Sequence, residues 1–290
     1  MLKKLFKHDF RALSRTLFPL QIGVLSGGLL ATLLTLLTVR LGGGIFETGA
    51  TTSMFQGIVM GISVMTSVLI AIAIMASAFV TLLLVCIHFY RSFLCDEGYL
   101  TFTLPVSTSK LLWSKLLTGM LWMLINAVVI CVTILIFAVF GTSTAGIVNY
   151  EVLNAIKEFF TKILPEASQY MNVPLVSIET VFVGILAFAA QVLEIYFAIL
   201  VGGQVAKKHR ILAAIGMYLL INMGVGMISS VFMSFMSLGE GLWAATIDTI
   251  EQGSMLFTSI FGWYGLLSAG LCVLFFFLSR GILKKNLNLQ

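Results

Sequence analysis

Asp96 and Glu97, followed by Gly98, Tyr99 and a lone Pro105, interrupt two long apolar runs of this 290-residue chain. The surrounding stretch, residues 91–115 (RSFLCDEGYLTFTLPVSTSKLLWSK), is one that lipid could not dissolve. Adjacent carboxylates on a short connector offer ionic and hydrogen-bonding contacts to a soluble partner. Apolar residues alternate behind them at Tyr99, Leu100, Phe102 and Leu104. On a charged loop such residues need the membrane interface or a groove of another protein. Ser107, Thr108 and Ser109 then supply a cap for a helix starting near Lys110.

Glu194 is the single acid well inside an apolar run. A charge at bilayer depth costs a few kcal/mol, which makes such a residue a functional candidate. It lies seven residues before Val201, about 10 Å of helix at 1.5 Å per residue. It can snorkel outward or reach Lys207 or Lys208, and serves either a structural ion pair or gating and coupling. A proton relay needs more partners than Glu194 has, so an ion-driven secondary transporter is disfavoured. Other chemistry finds no pattern. The G-x-x-x-x-G-K-S/T phosphate loop, the H-E-x-x-H zinc pair and the G-x-S-x-G nucleophile elbow do not occur. His8, His88 and His209 are scattered, and the four cysteines, Cys86, Cys95, Cys131 and Cys272, match no zinc or redox spacing. No catalytic residue, cofactor site or metal site is expected.

These residues must be positioned by lipid-soluble elements. The chain is 59% hydrophobic and 10% charged, against about 25% charged in soluble domains, with a mean hydropathy of +1.07. The apolar runs are continuous rather than alternating, which excludes a β-barrel. The expected fold is all-α, one membrane domain over 1–290. Its six spans lie at about 17–39, 57–89, 111–140, 175–201, 211–236 and 256–280. No inverted repeat marks two halves of a transporter. Gly23-x-x-x-Gly27 and Gly57-x-x-x-Gly61 are candidate sites of close helix approach.

Charge orients the spans. With both termini in the cytosol, every one of the 17 basic residues except Arg40, Lys157 and Lys162 falls inside, as the positive-inside rule demands. The sequence pI near 9.1 is then a consequence of topology and no sign of nucleic-acid binding. The expected localisation is the bacterial cytoplasmic membrane. Before the first span, Leu2, Phe6, Phe10, Leu13 and Leu17 share one helical face, and Lys4, Lys7, Arg11 and Arg15 the opposite one. Residues 1–16 therefore read as a basic interfacial helix on lipid headgroups, uncleaved, with Pro19 marking the bend into the bilayer. On the outer side, residues 141–174 carry an amphipathic helix with Val152, Ile156, Phe159, Phe160, Ile163 and Leu164 on one face, stopped by Pro165.

The run R-x-F-x-x-DEGYLTFTLPVS-x-x-x-LL-x-SK after the second span resembles the permease subunit of type-2 ABC exporters, notably six-span permeases of Gram-positive bacteria. The basic helix before the first span and G-Q-V-A-K-K-H-R (Gly203 to Arg210) fit the same pattern. The resemblance implies that loop 90–110 docks on a separate ATP-binding subunit. Asp96, Glu97, Gly98, Tyr99 and Pro105 would be the contact and transmission residues, flanked by Lys7 and Arg11. It also implies a homo- or hetero-dimer of permeases and export of an amphiphilic peptide, drug or lipid. The competing reading is a non-transport immunity or sensor protein that uses the same loops to bind a partner or a toxic peptide.

Overall fold

A backbone crossing lipid has no water to bond, so a continuous apolar run satisfies its N–H and C=O groups by forming helix. The computed structural model describes residues 2–41, 54–95, 106–141, 149–206, 209–244 and 250–287, and no strand occurs among them. The long helices are α1 (Leu2–Leu41), α2 (Met54–Leu94) and α3 (Thr108–Ile136), the last extended by a π-helical turn at Phe137–Gly141. Two short helices follow, α4 (Tyr150–Glu158) and α5 (Leu164–Tyr170), joined by a second π-helical turn at Phe159–Ile163. Then come α6 (Val173–Val205), α7 (Arg210–Ala244) and α8 (Ile250–Leu287). Six of these are long and apolar enough to cross a membrane.

Two expectations at prolines are corrected. Pro19 lies inside α1 rather than at a junction between an interfacial helix and a span. Proline forfeits one backbone bond, and the rest of a 40-residue helix outweighs that loss. Pro165 does not stop the helical run but sits in the first turn of α5, directly after the π-helical turn that joins α5 to α4. Asn149 caps α4, its side-chain oxygen accepting from the amides of Glu151 (3.0 Å) and Val152 (3.4 Å).

The chain divides into two compact units. One comprises Phe10–Val85 and Leu121–Lys162. Its core is Leu13, Leu17 and Trp122, packed by Phe10, Leu20, Leu84 and Ile125, and Phe10 stacks on Trp122 at 5.1 Å. Polar residues continue the buried stripe. Gln21 donates to the Asn126 carboxamide at 3.0 Å, and Thr32, Thr35, Ser77 and Thr133 are buried. Each of these hydroxyls bonds a carbonyl of its own helix three or four residues back, so it needs no partner across the interface. A Cβ on Gly28 would overlap the Thr133 side chain, which fixes the closest approach of α1 and α3 here. At Gly23, Gly27, Gly57 and Gly61 a Cβ would meet open space, so the expected G-x-x-x-G contacts are not made among the described residues.

The other unit comprises Met1–Asp9, Cys86–Met120 and Ile163–Gln290. Within it α6 packs against α7 and α8. A Cβ on Gly202 would overlap the backbone of Ala214, so α6 and α7 touch backbone to backbone. On the α8 side, Phe197 meets Phe275 at 5.6 Å, and the Cys272 thiol donates to the Leu186 carbonyl at 3.2 Å. Large apolar side chains such as Leu30, Leu33, Met75, Leu212 and Leu220 are exposed while hydroxyls and amides are buried. That inverts the arrangement of a water-soluble fold and suits hydrocarbon as the solvent.

Candidate functional site

The expected contact residues Asp96, Glu97, Gly98, Tyr99 and Pro105 lie outside the described residues. The two roots of that connector are described. α2 ends at Leu94, and α3 begins at Thr108, where the Ser107 carbonyl accepts from the Lys110 amide at 2.9 Å. Both roots are held by a buried charge cluster.

Asp9, on the inward face of α1, is 6% exposed, and Lys115, on α3, is 7% exposed. The Lys115 ammonium donates to Asp9 Oδ1 at 2.6 Å, and the Ser114 hydroxyl donates to Asp9 Oδ2 at 2.7 Å. His88, on α2, places Nε2 3.0 Å from the ammonium and 3.5 Å from Asp9 Oδ1. An ammonium only donates, so Nε2 accepts and the ring carries its proton on Nδ1. The 3.5 Å approach to Asp9 is then a contact between two acceptors rather than a hydrogen bond. Net charge is balanced by one carboxylate and one ammonium, as burial requires.

Serine, histidine, aspartate and lysine are the residue types of acyl-transfer sites, but the connectivity here differs. The Ser114 proton goes to the carboxylate and not to the imidazole, so the hydroxyl is not activated. What the arrangement does is tie three helix segments at one point.

Aromatic and backbone contacts extend the tie to α6 and α7. Phe89 lies parallel to Tyr196 with ring centroids 3.8 Å apart, and Phe93 meets Phe89 at 4.9 Å. The Tyr196 hydroxyl donates to the Lys115 carbonyl at 3.1 Å. Arg210 Nη1 donates to the Leu94 carbonyl at 2.9 Å, so the first residue of α7 closes the last turn of α2. Gly203 leaves room for the Leu94 side chain. Lys7 and Arg11, expected to flank the connector, are exposed on α1.

Glu194 is 3% exposed on α6. Its partner is not a lysine among the described residues, Lys207 and Lys208 being outside them; the Asn222 side chain on α7 hydrogen-bonds the carboxylate. Tyr218, one turn earlier on α7, accepts from Gln191 Nε2 at 3.1 Å. Glu194 Oε1 is buried, with no hydrogen-bond partner among the described residues.

Sequence reading found Glu194 but missed Asp9, His88, Ser114 and Tyr196. One signal for Asp9 was present. It is the only acid before Glu47, and it falls in step with Leu13 and Leu17 on the apolar face of a basic segment. An acid there has to find a buried cation.

Comparisons with known protein families, curated proteins and solved structures returned no match.

Proposed function

We propose that this chain is the permease subunit of an ATP-driven exporter of the type-2 ABC kind. In this reading a separate ATP-binding subunit grips the connector from the cytosol, and two permease chains pair around the transported molecule. The bracing of the connector's roots carries the proposal. A push on residues 96–105 reaches α1 and α3 through Asp9 and Lys115, and α6 and α7 through Tyr196 and Arg210. A loop that only turned the chain between spans would not need its two ends locked to three further helix segments, α1, α6 and α7. Six helices of membrane-crossing length and the resemblance of residues 91–115 to exporter permeases support the same reading.

In this reading the contacts at the connector's two roots transmit force from the ATP-binding subunit to the helices. Closure of the ATP-binding subunits would displace those roots, and the long helices held there would carry the motion outward. The transported molecule in this reading is an amphiphile (a peptide, drug or lipid), as the resemblance to exporter permeases implies.

The test is copurification of the chain from its native membrane with an ATP-binding subunit. Glu97→Arg is expected to reduce association at least tenfold and to abolish substrate-stimulated ATP hydrolysis. If both survive the substitution, the connector is not the coupling element. If no ATPase associates with the unmodified chain, the partner-binding immunity or sensor reading takes its place.

A further inference from the structure

Glu194 sits where a charge is costly. α6 is 33 residues long, about 50 Å at 1.5 Å per residue, and is centred on Ala189. Five residues, about 8 Å, separate Glu194 from that centre, inside a hydrocarbon layer of about 15 Å on either side. The carboxylate satisfies one side through Asn222, and among the described residues Oε1 has no donor. A buried oxygen without its hydrogen bond costs roughly 1–3 kcal/mol, more if charged. The surface above it is not plain hydrocarbon either. Gln191 and Asn222 are exposed, and Tyr218 is half-buried, amid exposed Leu219, Leu220 and Met223. α7 is the least buried of the six long helices, and this polar patch lies on its exposed surface.

We propose that Glu194, with Asn222, Tyr218 and Gln191, forms a binding site for the primary ammonium head of an amphiphile entering laterally between α6 and α7. The ammonium supplies both things the site lacks: a positive charge for the carboxylate and an N–H for Oε1. The phenol and carboxamide oxygens at the rim accept its remaining protons, and its apolar tail lies along Leu219 and Met223. Rotation of the exposed Asn222 side chain opens the path to Oε1. As the cargo subsite of an exporter the assignment rests on the permease reading; as a binding site it does not.

The full chain in neutral maltoside micelles, without any ATPase, is titrated with radiolabelled dodecylammonium in equilibrium dialysis. Saturable binding is expected, weakened at least tenfold by Glu194→Gln, a neutral isostere that keeps the Asn222 contact. Dodecyltrimethylammonium, charged but without an N–H, should bind several-fold more weakly than dodecylammonium. Dodecyl sulfate should not distinguish Glu194→Gln from the unmodified chain. Asn222→Leu, which leaves the acid in place, should weaken dodecylammonium binding less than Glu194→Gln does. Competition by a single-chain ethanolamine lipid identifies a resident headgroup as the source of the ammonium, and its absence a cationic cargo. Equal binding by the unmodified chain and Glu194→Gln overturns the proposal, as does loss of cation and anion binding together. Failure of the permease reading would show separately, as absence of ATPase association with dodecylammonium binding retained.

Discussion

Asp9 and Lys115 illustrate how strongly a buried pair depends on both members. Asp9→Asn leaves an ammonium buried beside a neutral amide, a change that costs about 3–5 kcal/mol in buried pairs. A clear fall in thermal midpoint in detergent is expected. Replacing both, Asp9→Leu with Lys115→Met, removes the uncompensated charge, and the double variant should be more stable than Asp9→Asn alone. If the double variant is the less stable of the two, the pair is held by something other than charge balance. The cluster was hidden from sequence reading for a physical reason. Its members lie 106 residues apart, and no local periodicity links them. Glu194 was visible because a charge inside an apolar run stands out by itself, whereas its neighbour Asn222 carries no charge to mark it.

At the scale of elements, the α6–α7 hairpin is set by Gly202, whose missing side chain lets Ala214 approach backbone to backbone. Gly202→Leu must force the two helices apart, which also separates Arg210 from the Leu94 carbonyl. Proteolysis near residue 209 should become faster than in the unmodified chain, and an unchanged rate would show that the hairpin does not depend on close packing. Helix existence was legible throughout, because 20 or so apolar residues in lipid have no alternative conformation. Helix ends were less so. α2 was expected at 57–89 and runs Met54–Leu94, since backbone hydrogen bonding does not stop where the hydrocarbon does. Pro19 and Pro165 misled for the same reason: a proline removes one bond, and its cost depends on where in the helix that bond falls.

For the whole molecule, orientation governs which surfaces a soluble partner can touch. Cys95 is exposed at the root of the connector, next to the acidic pair. In intact cells a membrane-impermeant maleimide should leave Cys95 unlabelled, and opening the membrane should expose it. Labelling from outside would reverse the topology and with it the coupling role of Asp96 and Glu97. The expectation rests on the charge distribution, in which Lys and Arg cluster in the segments assigned to the cytosol.

The separation of Asp9 from Lys115 also has a consequence for biogenesis. A ribosome adding about 5–20 residues per second leaves the carboxylate without its cation for roughly 5–20 s after residue 9 is made. During that interval Asp9 stays solvated beside the exposed Lys7 and Arg11, and the arrival of α3 lets it be buried, so the order of synthesis becomes a step in assembly.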